Sequence, residues 1–233
     1  MPAGAVLFDL DDTLFDYTHA ARVALGEAAR LDPVLAAAPF DALAQRHHAL
    51  LEEIHPRVTR GELALDAARS ERFTRLLIAC GGDPAAAPAM ADCFRAALRR
   101  AERLVPGAAR LLDALQLRGV TLAIVSNNTR AEQIGKLTRL GCIDAFAAIV
   151  VSADHGISKP DPRLFAVALD QLGVAAADTV HVGDDWDKDI DGARRAGIRP
   201  VWFNRFARPA PETDITQLDD LGRGDAVERI LAR

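Results

Sequence analysis

The chain has 233 residues, half of them hydrophobic, so it is long enough to bury a large globular core. Its 28 basic and 33 acidic residues give a net charge of -5 and are scattered along the sequence. Because there is no basic cluster, we do not expect nucleic-acid binding.

No apolar stretch approaches the roughly 20 residues that span a bilayer, and residues 1–4 carry no basic flank typical of a secretory signal. We therefore expect a cytoplasmic protein that does not bind membranes. Cys80, Cys93 and Cys142 are widely spaced and form no CxxC pair. This pattern favours reduced thiols over a disulfide framework or a zinc site.

Residues 6–14 form an apolar run that ends in three carboxylates, Asp9, Asp11 and Asp12. The run is typical of a buried parallel strand, whose carboxyl end is where open α/β sheets bind ligands. In extended chain Asp9 and Asp11 project to the same side. Two acids this close repel, so they need a cation or a shared proton. A calcium loop of the EF-hand type is excluded because its sixth position requires Gly and Leu14 stands there, whereas an ordinary acidic turn stays open.

Residues 18–104 show helical spacing and no convincing strand. Three prolines, Pro33, Pro39 and Pro56, and a turn at residues 81–84 divide this stretch into about four helices. The segment therefore predicts an all-helical insert.

From residue 106 onward, strands and helices alternate. Strands are predicted at residues 120–125, 148–151, 179–182 and 200–203, and helices near residues 130–140, 162–172, 187–196 and 225–232. The alternation predicts right-handed βαβ units and a parallel sheet covered on both faces. Thr129-x-x-Glu132 is a capping-box pattern, and Asp161-Pro162 provides a cap with a first-turn proline. The prolines and acids between residues 203 and 220 predict a surface connection.

Polar residues stand where three of these strands end. Ser126 and Asn127 precede a helix, where backbone N–H groups bind anions, although ordinary helix caps look the same. Lys159 also precedes a helix, but a lone lysine is usually solvated. Gly183 and Asp184 open an acidic cluster, an oxygen-rich set that suits Mg²⁺.

A parallel sheet would bring these residues together with the first acids. Charge neutralisation and positioning are most of what phosphoryl transfer requires, and this set can supply both. Ser126, nearby N–H groups and Lys159 would bind the phosphoryl oxygens, and Mg²⁺ would screen Asp9 from Asp184. With an ordinary pKa near ~3.9, Asp9 is ionised at neutral pH and can attack phosphorus without a base. Asp11 could protonate the leaving oxygen and later activate water.

In order and type these residues resemble the motifs of the haloacid dehalogenase superfamily of aspartate-nucleophile phosphatases. The matching positions are Asp9-x-Asp11-x-Thr13, Ser126, Lys159 and Gly183-Asp184-Asp185-x-x-x-Asp189. The resemblance implies an α/β fold with a Rossmann-like parallel-sheet core, residues 1–14 and 105–233, and an inserted helical cap, residues 15–104.

The resemblance also implies roles for the motif residues. Asp9 would be nucleophile and metal ligand, and Asp11 would be acid/base and a metal ligand through its carbonyl. Asp184 would bind the metal directly and Asp189 would support it. Asp185 departs from the Ser or Thr that the family usually has after Asp184. Parts of the chain are similar to the group that holds N-acylneuraminate-9-phosphatase, pyrimidine 5′-nucleotidases and flavin mononucleotide phosphatases.

Other functions compete with a Mg²⁺-dependent phosphatase. The family's 2-haloacid dehalogenases lack the second acid of the first motif, so Asp11 and Asp184 favour phosphatase. A phosphomutase would share all the motifs and stays open. A receiver-like module phosphorylated on Asp, which would not be an enzyme, leaves the large insert unexplained.

The substrate is expected to be a small phosphorylated metabolite, either a sugar phosphate or a nucleoside monophosphate. The cap sets specificity in the family that this chain resembles. Its candidate polar residues are expected mostly to face solvent; they are His47, His48, Arg57, Arg60 and Arg72. Arg57 and Arg60 are our candidates for substrate selectivity. The sequence predicts no oligomeric state.

Overall fold

The computed structural model describes residues 4–232. These divide into two compact units, one made of the residues up to Asp16 and from Leu104 onward, and the other of Tyr17–Arg103. Residues 1–3, on which the absence of a secretory signal partly rested, lie outside the described residues. No helix among residues 4–232 combines the length and apolar character required to cross a bilayer. All three cysteines are free.

The first unit is built on a six-stranded sheet in the order β3-β2-β1-β4-β5-β6, and every neighbouring pair is parallel. The strands are β1 (Ala5–Phe8), β2 (Thr121–Ser126), β3 (Ala148–Val151), β4 (Thr179–Gly183), β5 (Arg199–Phe203) and β6 (Thr216–Leu218). The predicted strands lie within one residue of those observed from β2 to β5. β6 corrects the expected surface connection: it has three residues, of which only Leu218 is buried, and so carries no periodic signal.

Eleven α-helices accompany the sheet in the described part of the chain. They are α1 (Tyr17–Ala29), α2 (Pro33–Ala37), α3 (Phe40–Thr59), α4 (Leu65–Cys80), α5 (Ala87–Arg100), α6 (Ala108–Leu117), α7 (Arg130–Arg139), α8 (Ser152–His155), α9 (Pro162–Leu172), α10 (Gly192–Arg195) and α11 (Ala226–Leu231). The first five form the second unit.

The sheet is buried on both faces, as the unbroken apolar runs predict. Leu7 and Val125 pack with Phe165 of α9 in one core cluster. Val6 and Ile124 alternate with them and therefore point to the opposite face, yet they are also fully buried. Such two-sided burial is typical of a parallel α/β sheet.

In the helical unit, α1 packs against α5, and α4 packs against both α3 and α5. Pro56 does not divide two helices as expected, because it lies inside α3, which continues to Thr59. Proline there removes one N–H only in the last turn, where the helix is about to end. Gly81 ends α4 with a positive φ of 80°, as the predicted turn requires.

The predicted helix caps of the first unit are right in one case and wrong in the other. The Asp161 side chain accepts the Arg163 N–H at 2.9 Å at the start of α9. Thr129 holds the cap position of α7 but its side chain makes no capping hydrogen bond, so the capping box does not form. The side chain of Asn128 accepts the Thr129 N–H instead.

Candidate active site

The carboxyl ends of β1 and β4 lie side by side where the strand order reverses, since β2 and β3 extend the sheet on the other side of β1. Asp9 directly follows β1, and its N–H continues the ladder to Val182 O at 2.9 Å. Asp184 directly follows β4. Open α/β sheets bind their ligands at such a switch point.

Lys159 lies between two of the predicted carboxylates. Its Nζ donates to Asp9 Oδ1 and to Asp189 Oδ1, each at 2.6 Å. The Lys159 side chain is only 2% exposed, so Lys159 is not solvated as a lone lysine usually is. Burial by itself would lower the pKa of Lys159, but the two carboxylates outweigh it and raise that pKa. The ammonium is therefore a fixed positive charge in the site.

Asp9, Asp184 and Asp189 each place one carboxylate oxygen within 4.8 Å of the others. Burial, followed by repulsion from neighbouring acids, raises the pKa of Asp184 well above its ordinary value. Burial also raises the pKa of Asp9 to about 7, although Lys159 opposes the shift. The ordinary pKa that we expected for Asp9 therefore does not hold in this buried position, even with Lys159 beside it. A hard divalent cation fits this buried oxygen cluster and would favour the ionised forms.

Asp189 is held by protein donors on both of its oxygens. Oδ1 contacts Lys159 and His181 Nε2, the latter at 3.0 Å, and Oδ2 accepts the Asp185 N–H at 3.1 Å. Burial opposes ionisation of Asp189, but Lys159 and His181 outweigh it and lower its pKa. A side chain at Gly183 would place its Cβ 2.3 Å from Asp189 Cγ, so the position requires glycine. Because both of its oxygens already contact protein donors, Asp189 is better suited to supporting the cluster than to binding a metal ion directly.

The helix predicted near residues 187–196 begins as a π-helical turn, Trp186–Asp191, and continues as α10. Both the Asp189 and the Ile190 N–H groups donate to Asp185 O. Such π turns concentrate at functional sites. Here the turn directs Asp189 back toward β4 while Asp187 stays exposed.

Asp11 is not placed by strand alternation. β1 ends at Phe8, and the chain turns so that the Thr13 and Leu14 N–H groups donate to Leu10 O, with Asp12 at a φ of 62°. Asp11 still raises the pKa of Asp9, but its effect is smaller than the effects of burial, Lys159 and Asp189. The two acids share one region because of this turn.

Asp9 and Asp11 have different partners. The Thr13 hydroxyl donates to Asp9 Oδ2 at 3.4 Å. Lys136 Nζ donates to Asp11 Oδ1, and Gln133 Nε2 donates to Asp11 Oδ2 at 3.0 Å. Each acid thus contacts its own lysine.

Ser126, the last residue of β2, is 2% exposed and accepts a hydrogen bond from Gln133 at 2.6 Å. The Asn127 side chain binds the Lys159 backbone on both sides, accepting its N–H at 2.8 Å and donating to its carbonyl at 2.9 Å. The Asn127 side chain therefore fixes the Lys159 loop.

Sequence reasoning missed four residues around these acids. Gln133 and Lys136 project from α7, three residues apart on one helix face. The other two are arginines that follow β5. Arg205 donates to Asp12 at 2.6 Å and to Asp16 at 2.7 Å, and Arg208 lies 3.5 Å from Asp184 Oδ2. Two polar residues on the buried face of α7 were a weak sign in the sequence that Gln133 and Lys136 lie near the site. The sequence after β5 gave no such sign for Arg205 and Arg208.

Known proteins share both the sequence and the fold. A family model described as haloacid dehalogenase-like hydrolase matches residues 3–197. Phosphoserine phosphatase of Thermus thermophilus is 35% identical and covers 97% of this chain and 98% of its own. Ribulose-1,5-bisphosphate 5-phosphatase of Halopiger xanaduensis is 34% identical and covers 94% and 90%. The magnesium-bound HAD-hydrolase YfnB of Bacillus subtilis has a TM-score of 0.78 at 25% identity, covering 95% of this chain and 96% of that one.

The family match spans most of the chain, and the sequence relatives match it over nearly their full lengths. The chain therefore belongs to the haloacid dehalogenase-like hydrolase family.

Proposed function

We propose that this protein is a Mg²⁺-dependent phosphatase that hydrolyses a small phosphomonoester through a phosphorylated Asp9. The observation that carries the proposal is the buried contact of Asp9 with Lys159 beside Asp184, at the switch point of the sheet. The phosphatase names of the two sequence relatives support it.

In the first step an Asp9 carboxylate oxygen forms a bond to phosphorus while the bond from phosphorus to the leaving oxygen breaks. Lys159 and the Ser126 hydroxyl hold the phosphoryl oxygens, and Lys159 already lies 2.6 Å from Asp9. Asp9 and Ser126 lie at the ends of the neighbouring strands β1 and β2, and Lys159 contacts Asp9 from the loop before α9, so the reactants meet in a fixed geometry.

Asp11 donates a proton to the leaving oxygen in that step. Water then attacks phosphorus and gives a proton to Asp11, and the bond between phosphorus and Asp9 breaks to release inorganic phosphate. The nucleophile and the acid/base must be separate carboxylates, and Asp9 and Asp11 differ in their lysine partners, Lys159 and Lys136.

Asp9, the Asp11 carbonyl and Asp184 would hold Mg²⁺, and Asp189 would support the site. The ion supplies charge neutralisation for the phosphoryl group and for the clustered carboxylates. The raised pKa values of Asp9 and Asp184 support this proposal, because a divalent cation would offset the cost of ionising these buried carboxylates.

We further propose that the helical unit, residues 15–104 in the sequence-based division, acts as the cap that selects a sugar phosphate or nucleoside monophosphate in the cytoplasm. Arg57 and Arg60 are weaker candidates for selectivity than the sequence indicated, since each is engaged by a carboxylate. Arg57 binds Glu71 at 2.8 Å and Arg60 binds Glu62 at 2.6 Å.

The test is phosphate release from a panel of sugar phosphates, nucleoside monophosphates and phosphoserine, with Mg²⁺ and then with EDTA. We expect Mg²⁺-dependent release from at least one small ester and a stable complex with beryllium fluoride in the wild type. Halide release from 2-haloacids without metal would support a dehalogenase instead. An isomeric sugar phosphate formed without inorganic phosphate would support a mutase. Autophosphorylation without turnover would support a receiver-like module.

A further inference from the structure

Two polar side chains of α7, Gln133 and Lys136, contact the site although neither belongs to a motif. They are 0% and 2% exposed. Gln133 Nε2 lies 2.6 Å from Ser126 Oγ and 3.0 Å from Asp11 Oδ2. Lys136 Nζ lies 2.5 Å from Asp11 Oδ1. One face of one helix therefore contacts both the proposed phosphate-binding hydroxyl and the proposed acid/base.

The contact with Asp11 decides which way the Gln133 amide points. A carboxylate presents acceptors, so the NH₂ group of Gln133 faces it and the amide oxygen does not. The same nitrogen lies within hydrogen-bond distance of Ser126 Oγ, which must then accept. A hydroxyl that accepts from an amide keeps its own hydrogen for another acceptor. The Ser126 hydrogen is thereby directed away from Gln133.

Asp11 is held at both oxygens by the same helix. Lys136 donates to Oδ1 and Gln133 donates to Oδ2, so rotation of the carboxylate breaks at least one of these part-buried hydrogen bonds. Hydrogen bonds that involve an ionised group are among the strong ones in proteins. The α7 pair thus restricts Asp11 to one orientation.

We propose that Gln133 is a positioning residue that directs the Ser126 hydroxyl toward a phosphoryl oxygen and, together with Lys136, orients Asp11 toward the leaving group. The proposal deepens the phosphatase function and rests on it. It predicts two separable defects. In Gln133 variants phosphate binds more weakly and kcat/KM depends more strongly on the leaving group. In Lys136 variants only the dependence of kcat/KM on the leaving group increases.

The first measurement is calorimetric binding of inorganic phosphate in the presence of Mg²⁺. Gln133→Met keeps the length of the side chain but cannot donate, and we expect about 10- to 100-fold weaker binding, the effect of one lost hydrogen bond to a charged acceptor. Ser126→Ala combined with Gln133→Met should bind no more weakly than Ser126→Ala, because Gln133 acts through Ser126. Thr138→Ala, on the exposed side of α7, is the matched control and should bind like the wild type.

The second measurement is the ratio of kcat/KM for p-nitrophenyl phosphate to kcat/KM for an alkyl phosphate. A misplaced acid penalises the poorer leaving group, so the ratio should rise about 10-fold in both Gln133→Met and Lys136→Met. Lys136→Met should bind phosphate within about twofold of the wild type. A purely structural defect would change both substrates equally and leave the ratio unchanged.

Thermal unfolding reports whether each variant folds, and Gln133→Asn replaces Gln133→Met if the latter does not. Unchanged phosphate affinity and an unchanged ratio in a folded Gln133 variant would overturn the inference. Additive losses in the double variant would overturn the action through Ser126. Failure of the wild type to hydrolyse any ester would overturn the proposed function instead, while phosphate binding would still decide the role of Gln133 toward Ser126.

Discussion

Each unit buries basic side chains, but the neighbours of Lys159 differ from those of His47 and Arg72. In the sheet unit the Lys159 ammonium lies between the carboxylates of Asp9 and Asp189. In the helical unit His47 and Arg72 are also buried, but they pack against aromatic rings, and Arg72 lies over Phe94. His47 Nε2 and Arg72 Nε have no hydrogen-bond partner within residues 4–232.

The difference in neighbours has a different consequence for the buried ionisable side chains of each unit. Charges in the sheet unit offset one another at short distance and hold a geometry suited to chemistry. In the helical unit burial lowers the pKa of His47 well below 6.5, so the ring stays neutral among its aromatic neighbours. Of the five candidate cap residues, His48, Arg57 and Arg60 are at least partly exposed as expected, whereas His47 and Arg72 are not.

The largest effect on activity is expected from a substitution of Asp9 in the sheet unit. Asp9→Asn should lower kcat by about 10⁴-fold or more, since the nucleophile is lost, and should not reduce stability because it removes a charge from a crowded acidic cluster. Steady-state phosphate release and thermal unfolding measure the two effects. Asp187→Asn, exposed beside the same cluster, is the control and should retain activity. Turnover by Asp9→Asn near the wild-type rate would rule out Asp9 as the nucleophile.

Removing Lys159 tests whether the sheet unit depends on charge compensation. Lys159→Met leaves Asp9 and Asp189 buried without their shared cation, and we expect the free energy of unfolding to fall by about 3–5 kcal/mol in urea without metal. Lys188→Met removes a half-exposed lysine paired with Asp185 and should cost less than about 1 kcal/mol. Equal, small losses in both variants would show that the buried pairing contributes little.

Adding Mg²⁺ should stabilise the sheet unit by less than the stability that we expect Lys159→Met to lose. At a concentration 100 times its Kd the ion should raise the free energy of unfolding by about 2.7 kcal/mol. Asp184→Asn should remove most of this gain, because it deletes one carboxylate of the cluster, and Asp187→Asn should not. Denaturation with and without Mg²⁺ measures the difference. A gain that survives in Asp184→Asn would place the ion elsewhere.

The smallest effect is expected at His47 of the helical unit. Its pKa lies below the ordinary 6.5, so the unfolded chain binds the proton more readily. The contribution of His47 is therefore complete above about pH 6.5 and is lost as pH falls, by at most about 1.4 kcal/mol per pH unit. Stability measured from pH 8 to 5 should fall less steeply in His47→Phe than in the wild type. His155→Gln, which replaces an exposed histidine of the sheet unit, is the control and should keep the wild-type slope.

Much of the fold was predictable because its signals are local. Four strands of the sheet are apolar runs bounded by turn residues, and Asp161-Pro162 begins α9 as its chemistry requires. The errors are local as well. The short β6 has too few buried residues for a pattern, and Pro56 is tolerated because it lies in the last turn of α3.

The sequence by itself determined the candidate residues of the site: acids directly after two buried strands, a serine at the end of a third, and a lysine before a helix. Only the tertiary structure decided how they pair. Lys159 and Asp9 are 150 positions apart, and Lys136 and Asp11 are 125 positions apart. Burial and charge pairing depend on neighbours this far apart in the sequence, which no local pattern records. The roles that we propose for Lys136 and Gln133 could therefore be inferred only from their contacts with Asp11 and Ser126.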